Sequence, residues 1–455
     1  MTLTADPTGT ARSPGVSYQQ LLDADSRPVP DVLRWEAPAY FGDEDKPIDR
    51  YISREVHELE KERLWTKVWQ MACRESELAN VGDSQVYDIT DISILLVRTS
   101  PTEIKGYFNA CLHRGRQLRE GPGPLTEVRC PFHGYAWNLD GSLKQVPCQW
   151  DFPQVRPEEF HLPEVKVGTW GGFVFINMDP HCEPLESFLG DLPKHFDRWP
   201  LEQRYKQAHV ARILPTNWKT VQEAFMEAYH VVATHPQLLP GIGDANSQYD
   251  VWGNFSRAIT PNGTPSPHLR WEPTEQEMFD SMSDRRLDMD PYVVIPEGGT
   301  ARETVGKSGR AMMQPFLGAA ADELTDAEMT DSFYYTLFPN LHPWGAYNRI
   351  VYRFRPYQDH HEMAVMECIF LSPYDEAAGR PPDAPIHWLG VDDDWTLAPE
   401  LGLLARVFNQ DCFNLPMVQK GMHTLRRNKP GVTMAVYQET KVRHFHALYE
   451  EWLGL

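Results

Sequence analysis

Cys111-Leu-His113-Arg-Gly115 and, after sixteen intervening residues from His113, Cys130-Pro131-Phe-His133-Gly134 are the two stretches from which the rest of the sequence can be read. Each is turn-like and offers one thiolate and one imidazole. Together they make a four-ligand set that needs no long-range help to close. Two metal centres fit. Zinc accepts two cysteines and two histidines tetrahedrally. A two-iron, two-sulfide centre places two cysteines on one iron and two histidines on the other. Zinc-finger spacing pairs like with like, whereas each pair here is mixed, which favours the two-iron arrangement.

Working outward, 84–89, 92–98 and 104–110 are short strand-like runs separated by Asp, Pro and Gly, and this texture continues through 172–178. We therefore expect a small all-β domain over 56–180, with a larger domain over 181–455. Residues 1–55 read as an irregular arm packing on the larger domain, with one short helix at 18–25. A helix is expected over 53–69, with Val56, Leu59, Leu64 and Val68 roughly on one face. Beyond 185 the elements lengthen. One long helix is expected over 214–235 and another over 395–421. Strands 350–355 and 362–371, joined by a polar turn, suggest an antiparallel sheet. The Gly-, Pro- and Met-rich 240–330 segment reads as long loops. Gly298-Gly299 and Gly306-Lys-Ser-Gly309 lie inside it without the context of a phosphate loop.

A second constellation lies in Glu223-Ala-Phe-Met-Glu227-Ala-Tyr-His230-Val-Val-Ala-Thr-His235-Pro236. Glu223, Glu227 and His230 are spaced i, i+4, i+7 and would share one helix face. Such a face is costly to bury without partners. Pro236 disfavours helix at the preceding residue, so His235 can turn back towards His230. Two histidines and one carboxylate make the facial triad of non-haem Fe(II) oxygenases, with positions open for O₂. The carboxylate must come from afar. Asp411 sits at helical spacing with Leu404, Phe408 and Leu415, where a carboxylate needs a partner or a metal. The alternative, Asp392-Asp393-Asp394, reads better as a solvated N-terminal turn.

The run continuing Cys130-Pro-Phe-His-Gly-Tyr-Ala-Trp-Asn-Leu-Asp-Gly141, with the histidine pair downstream, resembles the Rieske non-haem iron oxygenases, the alpha subunits of aromatic ring-hydroxylating dioxygenases. The resemblance covers about 50–450. It implies an α+β fold: a small all-β Rieske [2Fe–2S] domain and a catalytic domain whose antiparallel sheet is flanked by helices. It implies that Cys111 and Cys130 bind the inner iron, and His113 and His133 the outer one. It makes His230, His235 and Asp411 the ligands of a mononuclear Fe(II). Glu227 stands at the acidic position that links this site to a neighbouring subunit's cluster, where the common family pattern has Asp. The implied activity is O₂-dependent hydroxylation of a small aromatic or other apolar substrate, as ring dihydroxylation, with monooxygenation or demethylation as the alternative. NAD(P)H would supply electrons through a separate reductase, with or without a ferredoxin. The implied assembly is a homotrimer, with or without a small beta subunit. A pure electron-transfer Rieske protein would need only the first domain and leaves the second histidine pair unexplained. A structural zinc module would lack colour.

Composition narrows the partners. The 455 residues carry a net charge of -21, with 64 acidic and 43 basic residues. Such a chain repels nucleic acid and anionic lipid. No run of about 18 apolar residues suggests a membrane span. The N-terminus lacks a signal-peptide pattern, which points to the cytoplasm. Seven cysteines are too few for a disulfide framework. Cys73, Cys148, Cys182, Cys368 and Cys412 show no ligand spacing. Arg114, Arg116 and Arg119 form a basic cluster beside the proposed outer iron that could dock an acidic electron donor. Asn217 and Tyr229 are candidates for tying the helix to the iron or linking region. His360 and His361 read as turn residues, and His444 and His446 as alternating along an extended segment.

Overall fold

Short β-branched and aromatic runs separated by turn residues become strands first. In the computed structural model, which describes Ser13, residues 15–283 and residues 293–455, two antiparallel sheets carry most of the architecture. The seven-stranded sheet runs in the order Gln70–Arg74, Phe173–Asn177, Glu164–Trp170, Glu103–Phe108, Ile92–Ser100, Asp83–Ile89, Gly123–Pro124. A three-stranded sheet of Val128–Arg129, Ala136–Trp137 and Leu143–Gln145 lies beyond it. Leu95, Val97, Tyr107, Leu118, Val128, Trp137 and Leu162 make a small apolar core here, separate from the main one and including Cys111 and Cys130.

The eight-stranded sheet contains the 350–371 hairpin, as Ile350–Tyr357 paired antiparallel to His360–Ser372. Tyr205–Leu214 pairs along the other side of His360–Ser372. The short edge strand His387–Leu389 is parallel to Tyr205–Leu214. Helices Trp218–Glu223 and Thr440–Leu453 cover this sheet, and Leu404–Leu425 packs on Trp218–Glu223. The fold is thus α+β. The arm begins with the helix Tyr18–Asp23, closed by a capping box between Ser17 and Gln20. It is tied to the larger sheet through Arg257, whose guanidinium donates to the carbonyls of Val32 (2.6 Å) and Trp35 (2.5 Å).

Four expectations are corrected. The 214–235 helix is two short helices, Trp218–Glu223 and Val231–Thr234. Leu214 belongs to a strand, and Asn217 caps the first helix by accepting the Lys219 N–H. The chain leaves helix after Glu223, and Glu227 accepts the backbone N–H of His230, a local bond that competes with helix continuation. The 240–330 segment is not a long loop. It holds strands Gln248–Trp252 and Phe255–Thr260 and helices Glu275–Met282 and Ala301–Leu317. Gly306 and Gly309 sit inside the last of these. A Cβ on Gly306 would lie 2.1 Å from Asp326 Oδ1, and one on Gly309 2.8 Å from Met329 Cβ. These glycines permit close approach of the Asp326–Thr330 helix. The 395–421 helix begins only at Leu404, after two 3₁₀ turns and Gly402 at φ +59°, and runs to Leu425. His444 and His446 lie in the helix Thr440–Leu453, not on an extended segment.

One buried ion pair joins the helices Arg54–Glu60, Trp218–Glu223 and Thr440–Leu453. Lys219 and Glu60 are fully buried and bonded to one another. Glu60 also accepts from Trp218 Nε1 (3.0 Å) and Tyr449 Oη (2.6 Å). Burial pulls the Lys219 ammonium below its ordinary pKa, and Glu60 opposes that. Lys219→Met leaves Glu60 buried without its cation, so we expect a loss of about 3–5 kcal/mol in denaturant unfolding. A loss below about 1 kcal/mol would show that Glu60 is satisfied by Trp218 and Tyr449 alone.

Candidate metal centres

The two cysteine–histidine loops are built alike. The Cys111 N–H donates to the Arg116 carbonyl (2.8 Å), and the Gly115 N–H returns to the Cys111 carbonyl (2.9 Å). In the second loop Cys130 donates to Tyr135 (2.8 Å), and Gly134 returns to Cys130 (3.0 Å). Gly115 and Gly134 take φ of +74° and +78°, a conformation that favours glycine. These turns aim two thiols inward and two imidazoles outward. Cys111 and Cys130 are 4% and 1% exposed, while His133 is exposed and His113 half-buried. Burial, together with the adjacent Cys130 thiol, raises the Cys111 pKa, and the backbone N–H groups of His113 and Arg114 oppose this. The rings of His113 and His133 lie 4.6 Å apart, and His113 stacks on Tyr135 at 4.9 Å. Buried thiolates on one side and surface imidazoles on the other are the donor set of a Rieske [2Fe–2S] centre.

The second site forms where the broken helix meets the Leu404–Leu425 helix. The ligand atoms of His230, His235 and Asp411 lie within 4.8 Å of one another, the one such triple among the described residues. Asp411 Oδ1 is 2.9 Å from His235 Nε2 and 3.6 Å from His230 Nε2. His230 Nδ1 donates to the Glu227 carboxylate at 2.7 Å, and its Nε2 faces Asp411. His235 Nδ1 meets Gln410 Oε1 at 2.9 Å, and its Nε2 faces the same Asp411 oxygen. Two imidazole Nε2 atoms thus converge on one largely buried carboxylate, a donor set that suits a cation. Burial lowers the His230 pKa, but Glu227 and Asp411 outweigh this and raise it to about 9. Two imidazoles and one carboxylate suit Fe(II).

Asp392–Asp394 does not join this site. Asp394 caps the turn Trp395–Leu397 and accepts from Thr396 Oγ1 (2.5 Å), Asn409 Nδ2 (2.8 Å) and Thr396 N (2.7 Å), which hold its pKa down at about 2. Glu223 is turned away from Glu227, as the broken helix dictates. It accepts from Tyr51 Oη (3.0 Å) and lies 2.9 Å from His446 Nε2. Burial raises its pKa to about 8. Asn217 is a cap that also donates to the His361 carbonyl, while Tyr229 is 48% exposed. Of the three arginines, Arg116 pairs with Glu120 and Arg114 lies over the Phe132 ring. Sequence reasoning passed over Gln410 and His446. Gln410 is adjacent to Asp411, and a one-residue step turns about 100° round a helix, so spacing gives no signal that it reaches the same site.

The family model described as "Ring hydroxylating alpha subunit (catalytic domain)" matches residues 194–455, and that of the "Rieske [2Fe-2S] domain" matches residues 68–156. The chain belongs to the ring-hydroxylating alpha-subunit family. As a member of it, the chain carries a Rieske [2Fe–2S] domain and a catalytic domain that binds mononuclear iron. The carnitine monooxygenase oxygenase subunit of Escherichia coli (strain K12) is 31% identical over 225 residues, 49% of this chain and 58% of that protein. The chain therefore spans a little over half the length of that relative. The anthranilate 1,2-dioxygenase large subunit of Acinetobacter baylyi is 32% identical over 195 residues, 41% of each. Among solved structures, a quaternary ammonium Rieske monooxygenase in complex with L-carnitine superposes with a TM-score of 0.63 at 18% identity, covering 90% of this chain and 95% of that one. Naphthalene 1,2-dioxygenase with bound indole gives 0.61 at 16% identity, covering 92% and 93%. At these identities the likeness is one of fold. Among the described residues no helix of this ring-hydroxylating alpha subunit is long and apolar enough to cross a membrane.

Proposed function

We propose that the protein is the oxygenase component of a Rieske system that hydroxylates a small aromatic or other apolar substrate with O₂. The observation that carries this reading is the convergence of one ligand atom each from His230, His235 and Asp411 within 4.8 Å. A carboxylate and two neutral imidazoles hold Fe(II) and leave open positions for O₂. Iron there supplies dioxygen activation. The chain's own part is to orient both imidazoles and to back the site with packed aromatic rings. Phe225, Tyr352 and Phe408 pack on one another at 5.1–5.9 Å, next to the loop that carries Glu227 and the helix that carries Asp411. In this reading Cys111, His113, Cys130 and His133 hold the cluster, and Glu227 connects it to His230.

Ring dihydroxylation is the first reading, supported by relatives such as anthranilate 1,2-dioxygenase. Monooxygenation is the second, favoured by the carnitine monooxygenase relatives. Electrons would come from NAD(P)H through a reductase, with or without a ferredoxin. The half-exposed Phe132 beside His133, and Phe413 and Met417 on the outer face of the Leu404–Leu425 helix, are surfaces that copies of the chain or a beta subunit would cover in a trimer. Outside the two cluster ligands, five cysteines without a disulfide support action in the reducing cytoplasm.

Elemental analysis of the purified chain is the direct test. We expect about three irons and two acid-labile sulfides per chain. Two irons with two sulfides would make it an electron carrier, and zinc without sulfide would overturn the reading. With a reductase present, the number of oxygen atoms transferred from isotopically labelled O₂ separates dihydroxylation from monooxygenation.

A further inference from the structure

The two histidines of the proposed iron site are held by chemically different partners. His230 Nδ1 leans on a carboxylate, Glu227, at 2.7 Å. His235 Nδ1 leans on a neutral amide, Gln410 Oε1, at 2.9 Å. That amide is itself clamped. Gln237 Nε2 donates to the same Gln410 Oε1 at 2.8 Å, and Gln410 Nε2 reaches back to Gln237 Oε1 at 3.3 Å. A reciprocal amide pair of this kind cannot turn over one partner at a time. Gln410 therefore keeps its oxygen towards Nδ1, so that a metal taking Nε2, the nitrogen that faces Asp411 Oδ1 at 2.9 Å, leaves the imidazole proton on Nδ1 with an acceptor. The same helix edge carries a further bond, Asn414 Nδ2 to Thr234 Oγ1 at 3.3 Å. The 234–237 segment is thus fastened to the Leu404–Leu425 helix on both sides of His235. His235 is 3% exposed, so without Gln410 its buried Nδ1–H would face no acceptor.

We propose that Gln410, clamped by Gln237, is the positioning residue that fixes the ring and tautomer of His235 as an iron ligand. The inference rests on the ligand reading given above. A neutral acceptor also sets the electronic character of this imidazole apart from that of His230. A carboxylate partner raises ligand basicity, and an amide does so less.

Fe(II) affinity of the full chain, measured by chelator competition, tests this without turnover. Gln410→Met, which keeps the length and removes the acceptor, is expected to bind Fe(II) about 10–100-fold more weakly. Gln410→Glu restores an acceptor and should bind at least as tightly as the parent. Gln237→Ala removes only the clamp from an exposed position, folds normally, and should fall between Gln410→Met and the parent. A merely structural role would leave the paramagnetic-resonance anisotropy of the ferrous nitrosyl adduct unchanged in Gln410→Glu, whereas we expect it to shift. Affinity within about twofold of the parent in both Gln410→Met and Gln237→Ala, with iron lost in His235→Ala, would overturn the role of Gln410 alone. Iron retained in His235→Ala would overturn the ligand reading itself, and this proposal with it.

Discussion

Glu227→Gln should leave both iron centres in place and lower turnover at least about 100-fold, the upper end of what partners of metal ligands contribute. The reason is a count of acceptors. The Glu227 carboxylate receives two donors from one residue: His230 Nδ1–H at 2.7 Å and the His230 backbone N–H at 3.0 Å. A carboxylate can accept both, one on each oxygen. A carboxamide has a single acceptor oxygen, and its NH₂ must face the second donor. One bond is therefore lost, and with it the negative charge that holds the His230 proton on Nδ1. None of the ligand side chains changes, so iron and sulfide content and the visible spectrum should match the parent. Product formation with reductase and substrate should not. Normal turnover in this variant would show that Glu227 does not connect the two centres.

The same residue shows which parts of the molecule were legible in its sequence. The metal-binding loops were, because each is local: five or six residues, one thiol, one imidazole and a glycine at positive φ. The hairpin at 350–371 was legible too, since both strands keep apolar runs long enough to outweigh their polar turn. The path between Glu223 and His230 was not. Periodicity placed Glu223, Glu227 and His230 on one helix face, yet side-chain bonds break the helix there. Glu223 then goes to Tyr51 and His446, partners some 170 and 220 residues away in sequence. Gly306 and Gly309 misled in the opposite sense. Glycine was read as loop, but here its missing Cβ lets two helices touch. Strand Phe255–Thr260 was hidden because its buried positions include Ser256 and Arg257, and the Arg257 guanidinium is satisfied by the arm and by Asp250. Long-range pairing decided each of these cases, and spacing along the chain does not record it.

Asp411→Ala should cost the protein its mononuclear iron and leave the colour of the cluster intact. Asp411 is 4% exposed and contributes the only negative charge among the three converging donors. Without it two neutral imidazoles remain, and an Fe(II) ion brought into that buried place would be uncompensated. Loss of a direct ligand should exceed the 10–100-fold cost of losing an outer partner, so purified Asp411→Ala is expected to hold about two irons where the parent holds about three. The cluster residues sit in a separate apolar core with Leu95, Val128 and Trp137, so their sulfide content and visible absorption have no reason to change. The alternative carboxylates provide the control. Asp394 is engaged by Thr396 and Asn409, so Asp394→Ala should disturb the turn before the helix and keep the iron. Three irons retained in Asp411→Ala and lost in Asp394→Ala would move the third ligand to the Asp392–Asp394 run, against the 2.9 Å approach of Asp411 to His235.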